Sequence, residues 1–315
     1  MVTSEETQTL EYGCESFGRL THVLLHRPGP ALELVDGSNC QEWLFDDSPD
    51  VGGFIAEHNR YREMLESHGV TVLELSDFVD EHHEEIHQLP NLTYLHDTAV
   101  VSSHGAILSA MATPARSGEE TVVGEALQNL GVPLLTRFGP DDAFEGCLLL
   151  SPGTLMVAET ERHKWKSISS FIPRALQFFE EVIYVRIPKA RRYMHPDTIY
   201  NRVDHGLALA YLPAFTSSYS FTDSGMEKID FRNHMAGKGV DIIPVSDSEQ
   251  RRLACSFVPL EPGVIVHYDC ALDTDTCREL ERRGVRMDFF SPEALIAGGG
   301  SLRCLTLRLR REPQA

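Results

Sequence analysis

The chain has 315 residues, of which 42% are apolar and 24% are charged, a composition typical of a globular protein with a sizeable core. Its formal net charge of −19 argues against binding of nucleic acids or anionic membranes, because both depend on basic patches. The polar, acidic start and the lack of a long apolar run predict a cytoplasmic protein without a signal peptide or membrane span. Seven scattered cysteines without a CxxC pair indicate reduced thiols, and neither a disulfide framework nor a zinc ribbon.

Short apolar runs that alternate with helical patterns predict a mixed α/β fold. The runs are rich in Val, Ile and Leu and are typical of strands; they begin near residues 20, 70, 106, 154, 181, 206, 263 and 304. The clearest helical pattern extends from Phe54 to His68, with Gly69 as a stop signal, and further helices are predicted near 164–179 and 276–283. No long linker interrupts the pattern, so we predict a single domain. No GxGxxG or GxxxxGK[ST] motif supports a nucleotide-binding fold.

The segment DEHHEEIHQ, which begins at residue 80, is rich in histidine and acidic residues. Its histidines could hold a metal ion, but a solvated surface segment is the more frequent structure for such a composition. We therefore predict neither a metal site nor a cofactor.

Cys304 follows the glycine-rich stretch AGGGS and is predicted at the start of a strand. Glycines let the backbone come close to a ligand, and a strand start holds a side chain rigidly. From these residues alone Cys304 is a candidate nucleophile, and a buried structural cysteine is the more common alternative. A nucleophile also needs a base and a group that binds the substrate's charge.

Three carboxylates and one histidine are candidates for those further roles. His195 and Asp197 in MHPDT are two residues apart, so both side chains would point to one face of an extended segment. A histidine beside a carboxylate can act as an acid and a base near neutral pH, although HxD triplets also arise often by chance. Asp97 and Glu145 adjoin apolar sequence, where an unpaired carboxylate would be costly to bury; each is more often a turn or capping residue.

From about Tyr12 onward, these motifs and their order resemble the arginine deiminases of the amidinotransferase (pentein) superfamily. The segments EYGCESFGRLTHVLLHRPG and AEHNRYREMLESHGVTVLEL are similar to the start of those enzymes. The downstream motifs occur in the family's order: NLTYLHD, TPAR, FEG, ETERH, MHPDT, RRLACSFVPLEPGVIVHYD and GGGSLRC. The resemblance implies a five-bladed α/β propeller (the pentein fold) of ββαβ-like units. It would form one catalytic domain over residues 12–315, after a flexible N-terminus over residues 1–11.

The resemblance also implies a catalytic set that acts on a guanidinium group. Cys304 would be the nucleophile and His195 the proton shuttle, supported by Glu145. Asp97 and Asp197 would hold the guanidinium nitrogens through charge-assisted hydrogen bonds. His195 and the bound cation would favour the thiolate of Cys304, whose thiol would otherwise be largely protonated at neutral pH.

A second implied set would clamp the α-carboxylate of the substrate, and consists of Asn91, Arg116 and Arg162. Arginine presents a planar fork of donors that matches a carboxylate. Like the catalytic set, these residues are carried over from the family motifs by position.

Three departures from the family pattern affect the substrate prediction. His96 stands where the family has an arginine before the first aspartate. Cys147 and Leu148 stand where a glycine and a second acid are usual, and Gly299 replaces an arginine in the glycine loop. The helical insertion of typical deiminases is also missing after Phe78. Free L-arginine and a close guanidino relative therefore both remain candidate substrates.

The implied function is hydrolysis of a small guanidino compound, such as L-arginine, to a citrulline-type ureido product and ammonia. The reaction would pass through a covalent Cys304 amidino-thioether and would need no cofactor. The alternative is an amidinotransferase, which passes the amidino group to an amine acceptor. A catalytically idle pentein that serves as a binding protein is a third hypothesis, and a homo-oligomer is left open.

Overall fold

The computed structural model describes residues 10–139 and 141–312, so the predicted flexible N-terminus lies almost entirely outside the described residues. The described part is a mixed α/β fold. Its strands are β1 (Leu20–Leu25), β2 (Thr71–Glu74), β3 (Ala99–Ser102), β4 (Gly105–Leu108), β5 (Leu134–Thr136), β6 (Leu148–Ser151), β7 (Thr154–Glu159), β8 (Glu181–Arg186), β9 (Tyr200–Arg202), β10 (Leu207–Ala210), β11 (Ser217–Thr222), β12 (Gly225–Ile229), β13 (Asp241–Pro244), β14 (Val258–Glu261), β15 (Val264–Tyr268), β16 (Arg286–Phe290) and β17 (Leu307–Arg311). Its α-helices are α1 (Val51–Ser67), α2 (Glu119–Asn129), α3 (Trp165–Ala175), α4 (Phe231–Gly237), α5 (Asp247–Arg251), α6 (Thr274–Arg282) and α7 (Leu302–Leu305).

The strands form five open sheets that repeat one unit. In each unit a first strand pairs antiparallel with a second, and the second pairs parallel with a third. The units are β3-β4-β5, β6-β7-β8, β9-β10-β13, β14-β15-β16 and β17-β1-β2. A helix lies in the chain between the second and third strands of every unit, as a parallel pair requires a crossover connection.

Two features complicate this repeat. The hairpin β11-β12 joins β8 and extends that sheet to five strands. The last unit draws its strands from both ends of the described chain, because β17 pairs with β1. The C-terminal strand therefore holds the N-terminal strand in one sheet.

Helix α1 shows how the local sequence positions these elements. The Asp50 side chain accepts a hydrogen bond from the Gly53 amide at 3.1 Å and caps the helix start. Gly69, with φ of +75°, follows its end in the left-handed conformation that glycine adopts at little cost. Tyr61 is fully buried, and its hydroxyl lies 2.6 Å from the Thr306 hydroxyl. The helix is thereby tied to the segment that follows Cys304.

The predicted strand positions are confirmed for every apolar run except the last, which begins later than predicted. Cys304 does not start a strand, and that prediction was wrong. It lies on the single helical turn α7, and β17 begins three residues later. The Thr306 hydroxyl donates to the Leu302 carbonyl at 2.7 Å, which stabilises this turn. The helix predicted over 164–179 ends earlier, at Ala175.

The histidine-rich segment after residue 80 forms turns in which most side chains are partly or fully exposed. His82 contacts Glu85 through Nδ1 at 3.2 Å. None of the helices in the described part of the chain is long and apolar enough to cross a membrane.

Candidate active site

The predicted catalytic residues lie close together because they occupy equivalent places in the repeat: Asp97, His195 and Cys304 line one cavity. Glu145 and Asp197 do not line it but lie directly behind His195 and Asp97. Asp97 precedes β3, Glu145 precedes β6, His195 and Asp197 precede β9, and Cys304 precedes β17. Each therefore stands just ahead of the first strand of its unit. The cavity has a volume of about 520 Å³, including the space at its mouth, and is lined by Asp97, His195 and Cys304 among others.

His195 is held between two carboxylates. Its Nδ1 lies 3.1 Å from Asp97 Oδ1, and its Nε2 lies 2.8 Å from Glu145 Oε2. Burial lowers the pKa of His195, but the charges and hydrogen bonds of Asp97 and Glu145 outweigh it and raise the pKa to about 9. His195 is therefore an imidazolium at neutral pH, with both ring N–H groups donating.

Glu145 is fully buried yet stays ionised. Its Oε1 accepts from the Ala112 amide at 2.6 Å, and its Oε2 lies 3.5 Å from Arg162 Nη1. Burial raises the pKa of Glu145, but His195 first and then Arg162 bring it below its ordinary value. The carboxylate thus orients His195 and keeps it charged.

Asp197 carries an acceptor that no donor satisfies. Its Oδ2 is buried without a hydrogen-bond partner, and the nearest cationic nitrogen is Arg303 Nε at 3.4 Å. Burial and the charge of Asp97 raise the pKa of Asp197, although Arg303 opposes the shift. A buried carboxylate oxygen without a donor is unstable by itself, so this atom is suited to a cationic ligand.

The prediction that placed His195 and Asp197 on an extended segment was wrong in its geometry. His195 has an extended backbone, but Pro196 starts a 3-10 turn that contains Asp197. Proline is favoured at the first position of such a turn because its φ is already helical. The turn still brings one ligand atom each from Asp97, His195 and Asp197 within 4.8 Å of one another.

The same three side chains could be considered as metal ligands. A metal-binding histidine has to be neutral, whereas His195 has a raised pKa and donates to two carboxylates. An organic cation with N–H donors can bind here without displacing a proton from His195, whereas a metal ion would have to displace one.

The protein's own charges favour the thiol of Cys304. Burial raises its pKa to about 12, and the charges of Asp197 and Asp97 add to this shift. The Ser301 hydroxyl lies 3.5 Å from the sulfur and is a weak opposing influence. A positive charge bound beside Asp97 and Asp197 would oppose this shift and favour the thiolate.

The glycine loop ahead of Cys304 is explained by Tyr94. A Cβ atom at Gly298 or at Gly300 would overlap the Tyr94 ring or its hydroxyl. Gly299 has φ of +71°, and a Cβ there would lie 2.8 Å from Asp46 Oδ2. The glycines thus allow a close approach to Tyr94 and Asp46, both of which lie near the cavity.

Two of the predicted carboxylate-clamp residues have other partners in this structure. Arg116 donates to Asp97 at 2.7 Å, to Glu119 at 2.9 Å and to the Tyr94 carbonyl at 2.9 Å. The Asn91 amide donates to the Trp43 carbonyl at 2.8 Å. Both residues line the cavity, but the guanidinium of Arg116 is occupied with holding Asp97.

Arg162, the third predicted clamp residue, also lines the cavity. Its Nη1 lies 3.5 Å from Glu145 and its Nε lies 3.6 Å from Glu161. These distances are longer than those of Arg116, so Arg162 is the more available of the two cations.

Sequence reasoning missed Arg191, a cation at the mouth of the cavity. Its Nη2 donates to the Leu44 carbonyl at 2.6 Å and to Asp46 Oδ1 at 3.0 Å. Its side chain is 34% exposed. Arg191 lies just before the MHPDT motif in the sequence, and this closeness could have indicated it. Leu44 and Leu253 also line the mouth, and both have positive φ, at 65° and 64°, a conformation that is strained for leucine.

Comparisons with known proteins agree with this site. The sequence model described as arginine deiminase matches residues 78–311. The chain is 23% identical to the arginine deiminase of Borrelia recurrentis, with 94% of this chain and 96% of that protein aligned. It is 24% identical to the arginine deiminase of Rhodococcus opacus over the same shares.

Two solved structures show the same mixed α/β fold. AgrE in complex with ornithine and NAD+ superposes with a TM-score of 0.71 at 17% identity, covering 93% of this chain. The chain spans only 40% of the length of AgrE. DDAH from Pseudomonas aeruginosa, in a mutant form complexed with citrulline, superposes with a TM-score of 0.67 at 17% identity. That match covers 92% of this chain and 99% of the DDAH chain.

The deiminase model covers well over half of the chain and includes every predicted site residue. The resemblance inferred from the sequence is thereby confirmed. The chain belongs to the arginine deiminase family, whose members are hydrolases that act on the C–N bonds of amidines.

Proposed function

We propose that this protein hydrolyses the guanidinium group of L-arginine or a close analogue to a ureido product and ammonia. The observation that carries the proposal is the buried set around His195. A protonated histidine lies between Asp97 and Glu145, on the same cavity as a cysteine. Beside them, one oxygen of Asp197 lacks a donor.

The guanidinium of the substrate binds between Asp97 and Asp197. It donates N–H groups to their carboxylates, and Asp197 Oδ2 gains the partner that it lacks. Because these two carboxylates also raise the pKa of Cys304, a cation bound between them lowers that pKa. The substrate itself thus promotes formation of the thiolate that attacks it.

Two bond exchanges complete the reaction. The sulfur of Cys304 bonds to the guanidinium carbon, His195 gives a proton to a terminal nitrogen, and the C–N bond breaks to release ammonia. His195 then takes a proton from water, whose oxygen bonds to the same carbon. The hydroxyl proton passes to solvent, where it can protonate the released ammonia, as the C–S bond breaks; Cys304 leaves as the thiolate and a ureido group remains.

The carboxylate of the substrate is held by Arg162 and Arg191, with Asn91 beside them. Both arginines line the cavity, and neither is held as closely by carboxylates as Arg116 is. We propose that Arg116 fixes Asp97 for the guanidinium end. Its predicted role in the carboxylate clamp stays a prediction.

We propose further that the five units form a five-bladed propeller over residues 12–315. The support is the fivefold repeat of one strand pattern and the pairing of β17 with β1, which joins the last unit to the first strand of the chain. The lack of the helical insertion of typical deiminases stays a prediction. The cytoplasmic location and the oligomeric state stay predictions.

Product analysis tests the proposed function. The protein is incubated with arginine, agmatine or methylated arginines, with and without amine acceptors, and the products are identified by mass. A ureido product and ammonia without an acceptor support the proposal. Ornithine and an amidinated acceptor, formed only when an amine is added, would establish the amidinotransferase instead. Binding without any product over hours would favour the idle pentein.

A further inference from the structure

A second cavity, outside the proposed active site, is lined by four arginines: Arg202, Arg303, Arg308 and Arg311. We call it the arginine cavity. Its volume is about 360 Å³, including the space at its mouth. Its walls come from β6, β9, β14 and β17, which are the first strands of four units.

The hydrogen bonds recorded for Arg202 and Arg311 all go to uncharged groups. Arg202 donates to the carbonyls of Leu150 at 2.7 Å and Asp204 at 3.0 Å, and to that of His205. Arg311 donates to the carbonyls of Gly18 at 2.9 Å and Pro259. Carbonyls satisfy N–H groups but leave the positive charges uncompensated.

Of the other two arginines, only Arg303 lies within ion-pair distance of a carboxylate in the described part of the chain. Arg303 donates to Asn201 Oδ1 at 3.1 Å and lies 3.4 Å from Asp197. The side chain of Arg308 is partly exposed and makes no hydrogen bond or ion pair with another residue in the described ranges, although its backbone pairs with Val23. Asp197 is therefore the only carboxylate within ion-pair distance of the four guanidinium groups in the part of the chain that the structure describes.

Such an excess of positive charge is unfavourable in a buried place. Arg303 and Arg311 are only 3% and 6% exposed, and uncompensated buried charges are strongly destabilising. Burial, followed by the charge of Arg308, lowers the pKa of both groups to about 9. The protein thus holds several repelling cations around one small space.

The sequence uses an irregular strand to bring two of these arginines together. Residues three apart on a regular strand face opposite sides, yet Arg308 and Arg311 both line the arginine cavity. The register of β17 against β1 shifts twice between Leu20 and Val23, and such bulges redirect side chains. Arg310, which lies between them, instead pairs with Glu11.

We propose that the arginine cavity binds a small inorganic anion, such as a halide, between Arg308 and Arg311. The anion supplies the negative charge that the surrounding side chains lack. Its recognition depends on guanidinium N–H donors, so a halide and a small oxyanion share the required chemistry. The anion would bind outside the proposed active site, although Arg303 connects the two places, because it lines the arginine cavity and lies 3.4 Å from Asp197.

Thermal unfolding at constant ionic strength tests the proposal. Sodium gluconate is replaced by sodium chloride or, in a second arm, by sodium phosphate. An anion that binds only the folded state raises Tm, by about 2 °C for a chain of this size at ten times its Kd. The two arms show which anion is preferred.

Two substitutions separate site binding from a general salt effect. Arg308→Gln should abolish the anion-dependent rise in Tm, whereas Arg310→Gln should keep it, because Arg310 lies on the same strand but pairs with Glu11. Equal Tm in all salts for the unmodified protein would overturn the proposal, as would an undiminished rise in Arg308→Gln.

A crystallographic measurement keeps the test independent of whether Arg308→Gln folds. Crystals of the unmodified protein soaked in sodium bromide should show an anomalous peak within hydrogen-bond reach of Arg308 and Arg311. Absence of that peak, at a bromide concentration that raises Tm, would overturn the assignment.

Discussion

The two ends of the active-site cavity are built in different ways. At the guanidinium end, Asp97, Glu145 and His195 are at most 5% exposed and hold one another at 2.8–3.1 Å. At the mouth, the contact between Arg191 and Asp46 joins side chains that are 34% and 61% exposed. A change in a buried charge network disturbs every partner, whereas an exposed pair can change alone. Substitutions at the buried guanidinium end are thus more constrained than substitutions at the mouth, where the rest of the substrate would be selected.

The departures from the family pattern follow the same division. His96 is buried, and desolvation holds its pKa well below the ordinary value, so it is neutral beside Asp197. The cation nearest to Asp197 is instead Arg303. At the mouth, Gly299 leaves room for Asp46, which in turn contacts Arg191. Arg191 therefore provides a cation near the place where the family's arginine is missing.

The largest effect is expected at the guanidinium end, for Cys304→Ala. Loss of the nucleophile should lower kcat by at least about 10⁴-fold, while arginine binding measured by calorimetry stays within a few-fold. Cys270→Ala is the matched control, because Cys270 is exposed. Near-full activity of Cys304→Ala would contradict the covalent mechanism.

Glu145→Gln should lower kcat by about 10²–10⁴-fold, the usual range for a disturbed acid-base group. It should also lower the pKa of His195 from about 9, as measured by NMR titration. A raised folded-state pKa contributes stability that is full below pH 6.5 and is lost as pH rises through about 9. The stability difference between the unmodified protein and Glu145→Gln should therefore shrink over that window. An unchanged His195 pKa would refute the proposed role of Glu145.

At the mouth, Arg191→Ala should act on binding rather than on chemistry. We expect KM for arginine to rise about 10- to 100-fold, because a hydrogen bond to a charged group contributes about 1.5–3 kcal/mol. Values for agmatine, which lacks the carboxylate, should change little. Arg192→Ala is the control, since Arg192 contacts Asp247 and Gln250 at 2.7 Å outside the cavity. An unaltered preference for arginine over agmatine would remove Arg191 from the clamp.

Gly299→Ala should have the smallest effect. Its positive φ should cost about 1 kcal/mol of folding free energy, and displacement of Asp46 should raise KM for arginine a few-fold. Gly237→Ala is the control, because a Cβ there meets nothing within 4 Å. If denaturant unfolding and KM are both unchanged, the close contact between Gly299 and Asp46 is not important.

The guanidinium end could be predicted from the sequence because its residues lie in short, distinctive motifs such as MHPDT and GGGSLRC. The motifs do not reveal which atoms they contact. Arg116 was predicted to bind the substrate, but its donors meet Asp97, Glu119 and Tyr94. The contact between Arg191 and Asp46 joins residues 145 positions apart, so no local pattern could indicate it.

The sequence predicted the positions of several strands, but it did not predict how the strands repeat as units. Apolar runs indicated strands because buried strands need them, and seven of the eight predicted strands start within one residue of the predicted position. Other strands of the described chain, such as β9 and β12, had no predicted run. The five units share a strand pattern without a visible sequence repeat, since packing constrains the size and polarity of side chains more than their identity. The helical turn that carries Cys304 was missed because its sequence continues directly into an apolar strand.

The central claim is that Cys304 attacks a guanidinium carbon from which ammonia departs. Rapid quenching in acid, followed by intact-protein and peptide mass spectrometry, tests it directly. We expect an adduct on Cys304 with the mass of arginine less one ammonia, and none in Cys304→Ala. An adduct of the amidino group alone would indicate amidino transfer, and turnover without any adduct on Cys304 would contradict the mechanism.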